Sequence, residues 1–174
     1  MKKHKYEIFL VLLSVVLIFS LTSCSWGNNI FVDKDREAAS NAFEKVVEAI
    51  KTKNEGLIIE LFSNNVKNGV DLQGQAVLLI EYIEGEIVSF TPSNGLVTSE
   101  KGEYGKRKKE IKPSFTLNTT EKTYHFSIKM CMRDDFDKDN VGMVSMNVIE
   151  SSNWNSEYVY RLNVFIDGII INEE

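Results

Sequence analysis

At Gly85 the hydrophobic period of this chain changes from about 3.6 residues to 2, and no other feature constrains its fold as much. Before that point the apolar residues recur as helical stripes. Ala39, Phe43, Val46, Val47 and Ile50 form the first, with Asp33 or Asp35 as cap and Lys51 and Lys53 in a last turn whose dipole they suit. Asn54-Glu55 opens a second, short helix carrying Leu57, Ile58, Leu61 and Phe62 and ended by Ser63-Asn64-Asn65. Asp71 caps a third, with Leu72, Ala76, Leu79, Ile80 and Ile83 on one side and Gly85 as the terminating glycine. Three helices followed by about five antiparallel strands predict an α+β domain, its N-terminal helices packed on a curved sheet.

The strands follow in order. Glu86 to Phe90 begins the first, and a turn at Pro92-Ser93-Asn94-Gly95 ends it. Residues 99–112 mix Lys101, Lys106, Arg107, Lys108, Lys109 and Lys112 with three glutamates. Lysines of this kind block edge-to-edge pairing, so the run reads as solvated edge strands or a hairpin tip more readily than as a docking patch for an acidic partner. Phe115 to Asn118 leads through a turn into the clearest alternation: Tyr124, Phe126, Ile128, Met130 and Met132 on one face, His125, Ser127, Lys129, Cys131 and Arg133 on the other. After a loop at Asp134–Asn140 come a strand with Val144, Met146 and Val148 inward and a last long strand bearing Tyr158, Tyr160, Leu162, Val164 and Ile166. Asp167-Gly168 makes a turn or bulge before Ile169–Ile171.

The N-terminus has a different logic. Lys2, Lys3, His4 and Lys5 precede the apolar run Ile8–Leu21, which is shorter than the ~20 residues a spanning helix needs. This is the build of a secretory signal. Leu21-Thr22-Ser23-Cys24 then matches a bacterial lipobox: Leu21, Thr22 and Ser23 form the cleavage motif, and the Cys24 sulfur takes a diacylglyceryl group. The expected organisation is a signal peptide at 1–23, a tether at 24–32 and one domain at 33–174. Two or more acyl chains at ~0.8 kcal/mol per buried CH₂ anchor a protein stably. The expected location is therefore the cell membrane, on its extracytoplasmic face. The formal charge of −5 becomes more negative once Lys2, Lys3, Lys5 and Glu7 are removed, which argues against nucleic-acid binding. With Cys24 lipidated, Cys131 has no partner for an intramolecular disulfide, and a small structural thiol is its expected role.

Catalytic patterns are scarce. His125 is the one histidine left after signal cleavage, and the alternation puts it on the polar face beside Lys129. Zinc sites of several histidines or cysteines are excluded by count. Asp135-x-Asp137-x-Asp139 opens like a calcium loop, but Asn140 stands at the turn glycine and Met146 at the bidentate glutamate. Neither Gly102 nor Gly105 sits in a phosphate-loop spacing. Tyr82, Tyr124, Phe126, Tyr158 and Tyr160 are the candidate pocket lining, an aromatic wall with hydroxyl handles and no inward carboxylate or imidazole. Such a wall suits binding better than acid–base chemistry, plain core filling is favoured over either, and no metal or cofactor is expected.

Several segments carry a resemblance: Leu21-Thr22-Ser23-Cys24, Val46-Val47-Glu48-Ala49-Ile50-Lys51-Thr52-Lys53-Asn54, Leu61-Phe62, Tyr82-Ile83-Glu84-Gly85-Glu86-Ile87-Val88-Ser89 and Asp139 through Ile149. With these the chain resembles a family of Firmicutes lipoproteins that carry a domain of unknown function with the nuclear-transport-factor-2-like (cystatin-like) fold. The resemblance implies a cone of helices against a bent sheet, often with a ligand pocket, and no assigned activity. The leading expectation is a non-catalytic module that binds a small apolar ligand or an envelope protein. The alternatives are an isomerase- or dehydratase-like enzyme in the cone and a scaffold that forms a homodimer through the sheet.

Overall fold

A computed structural model describes residues 26–93, 95–153 and 165–172, with side chains from Asp33 onward. The expected strand at Tyr158–Val164 lies outside the described residues. The chain divides into two compact units, 1–37 and 38–174, and the architecture below belongs to the second.

Helix α1 covers Trp26–Thr52. It begins seven residues before the Asp33 cap expected from the sequence, so the stretch read as a tether is helical from Trp26. Gly27, Asn28 and Asn29 are poor helix formers, yet extending an existing helix avoids the cost of nucleation. Within the second unit, Ala39, Phe43, Val46, Val47 and Ile50 are all buried, as their spacing predicts. Helix α2 is Glu55–Glu60, and its cap Asn54 accepts from Leu57 N as expected. A helix absent from the sequence reading, α3 at Asn64–Gly69, follows. The sequence reads Ser63 as a terminator; instead it caps α3 by accepting from Val66 N, and buried Val66 anchors the turn. Helix α4 is Leu72–Tyr82, with Asp71 accepting from Gly74 N. Gly85 takes φ +81 just beyond it, a conformation that favours glycine.

Among the described residues seven strands form one mixed sheet: β1 Ile87–Pro92, β2 Val97–Glu103, β3 Lys106–Lys112, β4 Ser114–Thr119, β5 Thr123–Asp134, β6 Gly142–Glu150 and β7 Gly168–Asn172. The class is α+β, as the change of period predicts. Strand β5 carries the sheet: one edge pairs first with β4 and then with β3, and the other pairs with β6. Pro113 separates β3 from β4, because a residue without an N–H interrupts a ladder. β2 and β3 make the hairpin read from the charged run, turning at Tyr104-Gly105 with positive φ at both residues. β7 differs from the expected all-antiparallel arrangement, since it pairs with β6 in parallel.

Two irregularities correct the inward assignments. The β5–β6 register slips between Lys129 and Met130, so Met143 is buried where Val144 was expected, and Val144 is half-exposed. The β3–β5 register slips near Met132, which is also half-exposed, while Cys131 is buried. An extra residue in one strand shifts every later side chain to the opposite face.

Candidate functional site

The interior beneath the helices, where the sequence placed a pocket, is filled. Tyr124 and Phe126 are fully buried. The Phe43 ring stacks on Phe115 at 4.2 Å and meets Phe126 edge-on at 5.0 Å and Phe90 at 5.3 Å. Tyr124 donates its hydroxyl hydrogen to Tyr82 O at 3.2 Å and accepts from Glu84 N at 2.9 Å, so its polar end ties the end of α4 to the sheet. Burial raises its pKa. Tyr124 and Phe126 are thus core residues, which realises the core-filling reading and not the open lining. Tyr158, Tyr160, Leu21, Thr22, Ser23 and Cys24 lie outside the described residues.

Of the expected lining, Tyr82 does reach a cavity, but on the other side of α4. A groove of about 530 Å³ runs between α4 and β7, walled by Leu78, Tyr82, Ile169 and Ile171, with Gln75, Glu81 and Glu84 as its polar members. Three local features build it. Gly168 takes φ +101, and a Cβ there would collide with Gln75 Oε1, so glycine lets the helix approach the strand. Gln75 Oε1 then accepts from Ile169 N at 2.8 Å. Tyr82 packs edge-on against Tyr124 at 5.5 Å and accepts from Glu150 N at 3.1 Å.

Its electrostatics are acidic. Lys122 reaches Glu84 at 2.7 Å and Glu150 at 3.0 Å, and these two carboxylates push the Lys122 pKa up. Among the described residues Glu81 makes no ion pair, and it lines a second concavity of about 520 Å³ with Lys53, Glu55, Val77 and Ile80. Leu78, on the outer side of α4, is 57% exposed. With Tyr82, Ile169 and Ile171 it makes the apolar part of the groove wall.

The polar face of the sheet is knit together by its own side chains. His125 is half-buried, with Nδ1 at 3.2 Å from Thr116 Oγ1 and Nε2 at 2.9 Å from Ser151 Oγ, and burial lowers its pKa. That is more enclosed than the surface position expected. Burial raises the Glu110 pKa, and Lys108 and Lys129, at 3.2 and 3.4 Å, more than offset it, so the net shift is downward. Burial pushes the Cys131 thiol up, which suits an inert structural role. In the aspartate loop the carboxylates turn to protein donors. Asp135 takes Arg133 at 2.7 Å, Asp137 takes Asn65 at 2.8 Å and Asp139 takes Asn64 at 3.0 Å.

A family described as a domain of unknown function (DUF5104) matches residues 45–151. The chain belongs to this family. Comparison with curated proteins gives no match. The matched region carries α2 to α4 and β1 to β6, so it includes the α4 wall of the groove and stops short of β7.

Sequence reasoning missed Gln75, Leu78, Glu81, Glu84, Ile169 and Ile171. One signal was present: Val77 and Leu78 stand off the buried stripe of α4, making that helix apolar nearly all round.

Proposed function

We propose that this DUF5104 protein is a Firmicutes-type lipoprotein, anchored on the extracytoplasmic face of the cell membrane by diacylglyceryl on Cys24. In this reading it is a non-catalytic binding module that engages a ligand or an envelope protein through the groove between α4 and β7. The helices over a bent sheet support a nuclear-transport-factor-2-like cone whose centre is packed with aromatic rings. The observation that carries the binding reading is the open groove with its exposed Leu78.

Two measurements test it. Labelling with an alkyne fatty acid in cells is expected to mark the chain and to vanish in Cys24→Ala; unchanged labelling refutes the anchor. Native mass spectrometry of the purified lipoprotein is expected to show an adduct that Leu78→Glu removes without lowering Tm. A chain that carries no adduct, or keeps it in that variant, refutes the groove.

A further inference from the structure

We propose that the tip of the β2–β3 hairpin, Tyr104 with Lys101 and Lys106, settles into the anionic headgroup layer of a phospholipid bilayer. This goes beyond the groove and rests only on the anchor at Cys24, which would hold the domain at such a surface. Tyr104 and Gly105 form the turn, with φ +50 and +79. A two-residue turn with both φ positive favours asparagine or glycine at its first position. A tyrosine there holds its Cβ against the following carbonyl, which bulky residues rarely accept. Packing does not compensate, because Tyr104 is 95% exposed and all seven residues of β2 are exposed beside it. Guarding a sheet edge calls for lysine and gives no reason for this tyrosine. Backbone strain kept at an exposed aromatic residue points to a contact made in use.

A second ring stands near the turn. Asp135 N donates to Arg107 O at 2.9 Å, and Arg107 N donates to Asp135 Oδ2 at 2.9 Å, which holds the loop after β5 against β3. Phe136 in that loop is 51% exposed, and the Lys106 ammonium lies 5.4 Å from its ring centroid. Exposed rings bordered by ammonium groups suit a bilayer interface, where aromatic side chains lodge at headgroup level and lysines meet anionic lipid.

The charge distribution favours anionic lipid. Residues 99–112 carry six basic side chains against three glutamates, in a chain whose formal charge is −5. Lys101 stands directly opposite Lys108, an arrangement that costs a hairpin stability. Glu110 and Asp134 take Lys108 at 3.2 and 3.5 Å, while Lys101 and Lys106 are exposed. The other acidic groups nearby have protein partners. Glu103 faces Lys106 across the turn, Arg107 takes Glu100 at 3.6 Å, and Arg133 takes Asp135 at 2.7 Å. An anionic bilayer therefore attracts the hairpin and repels the acidic remainder, which sets how the domain faces the membrane.

The test uses the full lipoprotein carrying Tyr104→Trp, incorporated into vesicles of phosphatidylcholine alone or of phosphatidylcholine and phosphatidylglycerol in equal parts. The wild type, with Trp26 and Trp154, supplies the background emission. On the mixed vesicles the added indole is expected to emit to the blue and to be quenched by brominated lipid. On phosphatidylcholine alone it is expected to emit as in water. Salt at 1 M, where the screening length is about 3 Å, should abolish the quenching, and so should Lys101→Gln and Lys106→Gln together. Tyr104→Asn should raise the urea midpoint in neutral detergent micelles, because asparagine tolerates that backbone region. A lower midpoint would make the tyrosine a structural residue and overturn the proposal. Equal quenching on both vesicles, or quenching that survives salt and the paired glutamines, overturns it as well. An indole that stays in water on the mixed vesicles also overturns it, in favour of an acidic protein as the partner. A chain that fails to float with either vesicle sinks the anchor and this contact together, whereas a floating chain with an unquenched indole sinks this contact alone.

Discussion

Replacing Phe43 by alanine tests whether the space under the helices is packed core or pocket. The ring is completely buried and touches three other aromatics, lying parallel to Phe115 within 1° at 4.2 Å. Truncating a buried phenylalanine costs about 3–5 kcal/mol from lost transfer energy and the cavity left behind. The upper end applies, because Phe115, Phe126 and Phe90 each lose an aromatic partner that contributes roughly 0.5–1.5 kcal/mol beyond area burial. Against a total stability of about 5–15 kcal/mol, a loss of about 4–5 kcal/mol would leave the domain marginal. Urea unfolding followed by circular dichroism should show a large fall in midpoint with the slope preserved. Phe43→Leu keeps more of the volume and should cost less than Phe43→Ala, although it gives up the same aromatic contacts. A loss below about 1.5 kcal/mol in Phe43→Ala would mean that the ring borders open space, and would restore the central pocket that the aromatic alternation suggested.

Two further perturbations probe the sheet. Burial holds the His125 pKa below its ordinary 6.5, so the unfolded chain takes the proton first. Its contribution is therefore complete above pH 6.5 and is lost as pH falls through that value. The urea midpoint of the wild type should drop between pH 7 and 5 more steeply than that of His125→Gln; parallel curves would refute the assignment. Gly142 takes φ +132, and a Cβ there would lie 2.8 Å from Ser63 N and 3.1 Å from Phe62 C. Gly142→Ala should cost about 1–3 kcal/mol in the same assay, since the contacting atoms are backbone and cannot swing away. A change under about 0.5 kcal/mol would show that the α2–β6 junction yields freely.

Most of the fold was legible because local signals agreed with one another. The stripe of α1, the Asn54 and Asp71 caps and the Tyr124–Ile128 alternation each have one physical reading, and each is realised. Failures cluster where long-range pairing overrides local pattern. Helix α3 was hidden because Ser63-Asn64-Asn65 is equally good chemistry for stopping a helix and for starting one. What decides is tertiary: Met143 N donates to Leu61 O at 2.8 Å, and Ser63 N donates to Met143 O at 2.9 Å, fixing the chain there in an extended step. The slips at Val144 and Met132 are likewise properties of a strand pair, and no single strand encodes them.

The site was less legible for a related reason. The aromatic alternation points to the sheet, and the sheet's inward aromatics are consumed by α1: Phe43 fills the volume they would otherwise leave. With that volume closed, the groove takes part of its apolar wall from a helix too apolar to bury all its sides. Helix α4 is that helix, with Leu72, Ala76 and Leu79 inward and Val77 and Leu78 left at the surface. Leu78 lines the groove beside β7, and Val77 lines the second concavity. Leu78→Lys separates the two roles of α4. It should leave the stability from urea unfolding within about 0.5 kcal/mol of wild type, as an exposed substitution does, while removing the adduct that native mass spectrometry reads on the wild type. A variant that loses stability instead would place Leu78 in the core, and the groove would no longer have a free wall to offer.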